Sequence, residues 1–347
     1  MTRYLGGLIT KDESLVIPAD NYETTSAPGV WTLEEAGMLA KKGKWPTAGN
    51  ALQRGLFAGG NGPLNTIEYV DLTSASNAID FGDLASATEM GASFSSATRG
   101  VFAGGNTTGK IDVIQYVTIA TEGNTTDFGD LSGERRNFAG LANATRGVVG
   151  GGVSDSSARL NIIEYVTIAS TSNATDFGDL TEVRSNVASF QSTTRGCWAS
   201  GEGSSTTSNV IDYITIASAG NATDFGDVES DRYGSAGVSN NTRGVVGAGA
   251  GGSSGGYSNV MQYVTIASTG NTTDFGDVSI GKYLLTSSAS STKGLFAGGY
   301  TSSNQRTNVI EQITIATTAN ATDFGDLTAE KNNFFIGMVS SSHGGLS

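Results

Sequence analysis

The chain has 347 residues, 49 of them glycine and 8% aromatic, and carries a formal net charge of -13. That acidity excludes a general binder of nucleic acid or of anionic membranes, whose footprint is a basic face. The one cysteine, Cys197, excludes an intrachain disulfide and a cysteine-rich zinc site, and no apolar run is long enough to span a bilayer, so neither membrane insertion nor a cofactor is expected.

The first 50 residues differ in kind from the rest. Up to Pro28 and Gly29 the sequence has no periodicity and reads as an extended arm. Thr32 with Glu35 three residues on forms a capping box, and Gly43 and Pro46 stop the helix it opens, which predicts one short helix near 32–42. Val30, Trp31, Leu33 and Trp45 are apolar anchors beside that helix. A segment with no core of its own gains order by docking on something else, because burial must offset its ordering entropy. Residues 1–50 are therefore expected to be an attachment arm, its partner another protein or a second copy of this one, and 51–347 the folded domain.

From residue 51 onward the chain repeats. Asp-Phe-Gly-Asp followed by Leu or Val recurs with its phenylalanine at 81, 128, 177, 225, 275 and 324, at spacings of 47, 49, 48, 50 and 49. Asp-Phe-Gly is also a kinase triplet, but six copies, one histidine near the end and no His-Arg-Asp loop exclude that reading. Each repeat divides into four short runs rich in Val, Ile, Thr and Tyr between Gly, Asn and Ser clusters, which are strands a to d. In strand c, Ile211, Tyr213 and Thr215 alternate with Val210, Ile214 and Ile216, so apolar groups lie on both faces, as in sheets stacked face to face. Four-stranded antiparallel sheets repeated at this period form an all-β propeller.

Strands b, c and d occur six times, yet the first set begins at Arg54 without a strand a, and 334–342 is a strand a without a b. The C-terminal strand is expected to complete the first blade and close a ring of six. Each Phe is then a wedge between blades, worth about 1.5–3 kcal/mol on full burial. The Gly permits a bulge or close backbone approach, and the Asp side chains are expected to accept backbone N–H bonds at strand ends. Arg54, Arg99, Arg146, Arg195, Arg243 and Lys293 each open strand b, at the end shared with the c–d turns, and are expected to bond to carbonyls or acids of an adjacent blade.

Several other features resemble chemistry. The Asp-x-x-Asp pairs point to opposite faces of a strand, which does not suit a metal. The glycine-rich stretch 247–252 lacks the following helix and Lys of a phosphate loop. The Asn-x-Thr triplets at Asn124, Asn173, Asn221, Asn271 and Asn320 sit where c–d turns are needed, and Asn suits turns. Cys197 stands at a strand b core position, and His343 has no paired acid. No catalytic or metal-binding constellation emerges, so the chain is not expected to be an enzyme.

These residues resemble the kelch family. The resemblance rests on Gly-Gly doublets ending strand b (Gly59 and Gly60, Gly104 and Gly105, Gly298 and Gly299), on Tyr69, Tyr116, Tyr165, Tyr213 and Tyr263 in strand c, and on Phe81 three residues before Leu84. The sequence departs from the kelch pattern by Phe for Trp, by the added Asp-Gly-Asp, and by Gln312 at the last tyrosine position. The Pro-Gly-Val-Trp-Thr-Leu and Lys-Trp-Pro markers of the arm, with the repeats themselves, look like structural proteins of tailed bacteriophages of marine bacteria and cyanobacteria. That resemblance implies a virion location, other virion proteins as partners of the arm, and a kelch-like propeller as the displayed part.

The b–c segments vary widely along the chain while the c–d turns barely change, and binding residues tend to lie on loops held by a rigid scaffold. The b–c and d–a loops share one end, which gathers Arg135, Arg136, Arg184, Arg232, Tyr233, Lys282 and Tyr283 from d–a loops and Tyr257 and Tyr300 from b–c loops. Tyrosines and arginines suit glycan or acidic-sugar contacts. The function expected is that of a tail or fibre component adhering to a host-surface glycan. The alternatives are a capsid or tail decoration without a receptor and a cellular kelch-type protein-binding adaptor.

Overall fold

In a computed structural model of the chain, two units divide at Leu52 and Gln53, and the structure describes 53–251, 256–303 and 305–346 of the second. The arm, its helix near 32–42 and the anchors Val30, Trp31, Leu33 and Trp45 lie outside the described residues.

The second unit is a six-bladed all-β propeller of four-stranded antiparallel sheets. Blade 4 shows the plan, with strand a Ala188–Gln191, b Arg195–Glu202, c Thr207–Thr215 and d Thr223–Asp227, paired in that order. Blade 1 has its b, c and d strands at Arg54–Ala58, Leu64–Asp71 and Ile79–Thr88. Its strand a comes from the C-terminal segment: Leu56 N–H donates to Val339 O at 2.9 Å, and Gly55 bridges Ser340. The ring is closed as the chain ends predict.

The repeated motif belongs to the joints between blades. All six phenylalanines are 2% exposed and pack among apolar residues of two neighbouring blades. Five meet the strand c tyrosine edge-on, as Tyr213 and Phe225 do at 5.9 Å. In every blade the c–d register shifts at this Phe, a β-bulge. The following glycine lies at φ near +140°, and a Cβ on Gly226 would strike the Gly270 carbonyl in the turn of the next blade. Bulge and close approach are thus both required of it.

The aspartates behave differently from the expectation. Among the described residues their carboxylates accept no backbone N–H; the N–H of the second Asp instead donates to the Asn of the next blade's c–d turn, as Asp179 does to Asn221 at 3.1 Å. The reason is geometric, because strand d is the outermost edge and its Asp side chains face solvent. Charge there discourages edge-to-edge pairing with another sheet.

Two further links hold blade to blade. Arg54, Arg99, Arg146, Arg195 and Arg243 each donate to the carbonyl of an isoleucine in the next blade, at 2.7–3.1 Å, and Lys293 reaches Thr73 O at 3.4 Å. Each of the five guanidinium groups also lies over the strand c tyrosine of its own blade, 4.2–4.5 Å from the ring centre. At the strand c residue just before that tyrosine, an acid or amide accepts a backbone N–H just beyond the preceding blade's strand d motif: Glu164 from Ser132, Gln262 from Glu229, Glu68 from Thr328.

The propeller has no open shaft. The strand a segments are built of small residues, and the C-terminal segment lies against several of them, with Ile336 bridging Ala92 and Ala139 and Met338 bridging Ser287. Beyond it His343 is wholly buried: its Nε2–H donates to Ser95 O at 2.9 Å, and its Nδ1 accepts from Gln191 Nε2 and Gly345 N–H, both at 3.1 Å. Only the neutral imidazole satisfies all three bonds, and burial lowers its pKa to about 4. Gly344 N–H then reaches Ser239 O, so the tail touches strands of blades 2 to 5 along the axis.

Candidate functional site

The end carrying the b–c and d–a loops is where the blades stop being alike. Each d–a loop is fastened to the b–c loop of the blade it enters. Arg135–Arg136 pairs with Val153–Ser154, Lys282–Tyr283 with Tyr300–Thr301, and Tyr233 bridges Ala250. The described parts of these loops are therefore tied together by backbone pairing.

At the axis these loops form a ring. Met90, Asn137, Asn186, Gly234, Leu284 and Asn333 all adopt left-handed backbone, with φ between 53° and 65°. Each donates its N–H to the carbonyl of the preceding member, and Met90 donates to Asn333, closing six hydrogen bonds of 2.7–3.0 Å into a circle. Left-handed backbone is tolerated by Asn and Gly but strained for Met90 and Leu284, and such strain gathers at ligand clamps. Inside the ring a recess of about 10 Å³, room for about one water, is lined by Met90, Asn137, Asn186, Leu284 and Asn333 over a floor that includes Phe334 and Ile336. The Oδ1 atoms of Asn137 and Asn333 have no partner there among the described residues, and Asn333 is 7% exposed.

The residues just before the ring members are Glu89, Arg136, Ser185, Tyr233, Tyr283 and Asn332. One side of the mouth is aromatic. Tyr257 stacks on Tyr283 at 4.6 Å, Tyr233 and Tyr300 stand edge-on to Tyr283 at 5.7 and 6.0 Å, and Tyr257 meets Tyr300 at 6.4 Å. Burial first, then its bond with Tyr257, pushes the Tyr283 phenol up to about 12, so its hydroxyl stays neutral. The four tyrosines singled out in the sequence are thus brought together, and all four are half-buried.

The cations are a correction. Arg135, Arg184, Arg232 and Lys282 are at most 3% exposed and offer nothing to a ligand at this surface. Arg135 is ion-paired with Glu164, Arg184 with Asp212 and Lys282 with Glu311, the last at 2.6 Å. Arg232 has Gln262 where the others have an acid, and its guanidinium bonds to the carbonyls of Ala248 and Val260 and to Ser230. Burial lowers the pKa of Arg135 and Arg232. Lys331 completes the series on Glu68 at 2.5 Å, a residue the sequence reading did not single out. The pattern that would have revealed these pairs is the spacing: Arg135, Arg184, Lys282 and Lys331 each have an acid at the strand c position of the blade they enter, and in blade 2 both members are neutral, as Thr88 and Gln115. Of the predicted cations only Arg136 remains partly exposed.

Other reactive groups lie elsewhere. Cys197 is buried, and burial raises its thiol pKa. Among the described residues no three His, Cys, Asp or Glu side chains are placed to hold a metal ion. Compared with known protein families and with curated proteins, the chain matches none.

Proposed function

We propose that the chain is a structural protein of a tailed-bacteriophage virion, a tail or fibre component whose arm attaches to the particle and whose propeller adheres to a host-surface glycan. The observation that carries the adhesion is the four-tyrosine platform of Tyr233, Tyr257, Tyr283 and Tyr300 at the mouth of the strained ring. Rigid, amphipathic rings give contact area at small entropic cost, and the loop ladders hold them in place. The virion reading is supported by the resemblance of the kelch-like repeats and of the arm to phage structural proteins, and by the apolar anchors Val30, Trp31, Leu33 and Trp45.

The test is binding of the labelled full-length chain to a panel of marine bacterial and cyanobacterial cells, before and after periodate oxidation of their surface glycans. Binding to some strain, lost on oxidation and weakened by Tyr233→Ala with Tyr283→Ala, is the result expected. Binding to no strain, with the chain nonetheless found in purified particles, would leave the decoration role in its place.

A further inference from the structure

We infer that Arg306 is the anion-binding residue at the edge of the tyrosine platform, so that the ligand taken there is an acidic glycan, a sugar bearing a carboxylate or a sulfate; this deepens the glycan-adhesion reading above and rests on it. The placement follows from the register of the loop strands. Tyr283 pairs with Tyr300, and Tyr300 in turn bridges Arg306. Directly paired residues of antiparallel strands send their side chains to one face, about 5 Å apart. Tyr283, Tyr300 and Arg306 therefore form one row leading away from the ring, two aromatic side chains and then a cation. The equivalent row of blade 5 reads Tyr233, Ala250, Tyr257, and its two aromatic rings join the first two. The rows of blades 2 and 3 also carry cations, Lys110 in one and Arg136 with Arg159 in the other, but no aromatic ring.

Arg306 is held without being neutralised. Its Nε donates to Asn332 Oδ1 at 3.2 Å and its Nη2 to Asn61 Oδ1, both uncharged acceptors, and among the described residues no carboxylate lies within ion-pair distance of it. Arg159, by contrast, is paired with Glu202 at 3.1 Å. The two amides fix the planar guanidinium while the side chain stays exposed, and Nη1 makes no hydrogen bond among the described residues. A fixed and uncompensated fork suits a carboxylate or sulfate, since little side-chain freedom is left to lose on binding. Glu89 lies beyond Asn61, which donates to it at 3.4 Å, and is only 8% exposed. The Tyr283 hydroxyl stays neutral and adds no charge against an anion. A sugar resting by its C–H face on Tyr300 has its acidic substituent about one strand spacing from Arg306. The chain as a whole carries -13, so no long-range field draws an anion in, and contact with Arg306 has to carry the selection.

The experiment is an array of neutral, uronic-acid, sialylated and sulfated glycans, probed at low and at high salt with the full-length chain and with its Arg306→Gln and Arg306→Lys variants, beside binding of the same three proteins to the cells used above. Expected are hits on acidic glycans that weaken with salt and fall about tenfold or more in Arg306→Gln, the loss of one charge-assisted contact, while any neutral hit is unchanged by the variant. The split between carboxylated and sulfated hits tells which acid is taken. Arg306→Lys keeps the charge without the fork and should fall between the other two, an order that a merely structural role would not produce. Should Arg306→Gln unfold by circular dichroism, the Lys variant and the salt dependence carry the test. Hits on neutral glycans alone, or acidic hits that neither salt nor Arg306→Gln weakens, would overturn the inference and leave glycan adhesion standing. So would an empty array from a chain whose binding to periodate-sensitive cells survives Arg306→Gln unchanged, whereas absence of cell binding as well would overturn the reading on which the inference rests.

Discussion

His343 makes the closure of the propeller sensitive to acid, and the size of the effect follows from its surroundings. The imidazole is wholly buried, accepts two N–H bonds at Nδ1 and donates one at Nε2, so a second ring proton would displace a donor. Its folded pKa of about 4 lies below the value of 6.5 normal for histidine, and burial is the cause. As pH falls, the unfolded chain takes up the proton first. The contribution of His343 is therefore full above about pH 6.5 and is lost progressively down to about pH 4. Between about pH 8 and about pH 4.5 the loss comes to about 2.5 kcal/mol. The assay is urea unfolding at both pH values, followed by tryptophan fluorescence in which the buried Trp198 reports, for the native chain and for His343→Gln. Carboxylates titrate in both proteins, so the difference between the two pH dependences isolates His343. The native chain is expected to lose about 2.5 kcal/mol more than the variant. Equal acid sensitivity in two proteins that are both folded at the higher pH would refute the reasoning.

The remaining predictions concern the joints. Lys331→Met leaves Glu68 buried without its cation and should cost about 3–5 kcal/mol, and adding Glu68→Gln should recover most of it, as Thr88 and Gln115 do naturally in blade 2; thermal unfolding of the two variants that gave additive losses would count against the pairing. Phe225→Ala should cost about 3–5 kcal/mol, whereas Asp224→Asn and Asp227→Asn should each stay within about 0.5 kcal/mol, measured by urea unfolding; a large effect of either Asn variant would assign those carboxylates a structural bond that is absent here. In blade 6 Lys293 and Gln312 replace the Arg and Tyr of the other blades, so Lys293→Arg with Gln312→Tyr should stabilise by about 0.5–1 kcal/mol and neither change alone should, a coupling that a double-mutant cycle would detect or exclude.

The ring, the blade count and the closing strand were legible because each rests on periodicity, and six copies of Phe225 and its equivalents outweigh any local ambiguity. The reach of Arg195 and its counterparts to the next blade was legible for the same reason: a cation that recurs at one register position in every repeat has a repeated partner. The inward turn of Arg184 was not, because a lone arginine in a loop is ordinary surface by residue type. Its partner Asp212 lies in a different strand, and only the comparison of repeats, with Thr88 and Gln115 at the equivalent positions, carries the signal. The tyrosines were gathered correctly since strand direction alone decides the end on which a loop emerges. The left-handed ring at Met90, Asn137 and Leu284 could not be read from these residue types, two of which disfavour that backbone; it follows from the circle of hydrogen bonds, a property of the closed ring.

The buried C-terminal segment gives synthesis a part in folding. Lys331 and Glu68 are separated by 263 residues, and Ser340 and Ser95 by 245, so the contacts that close the ring are among the longest in the chain and the slowest to form. Five blades can assemble while the ribosome is still at work, but the axis stays open and the first blade lacks a strand until residue 343 has emerged. A product stopped short of Phe334 would leave Ser93, Ser95 and Ser288 facing an unfilled shaft without the carbonyls they bond to. Such a chain would expose an unpaired strand edge at Arg54–Ala58 and would be a substrate for aggregation or proteolysis. Completion of the axis is thereby written into stability, and only chains extended through it would close the ring.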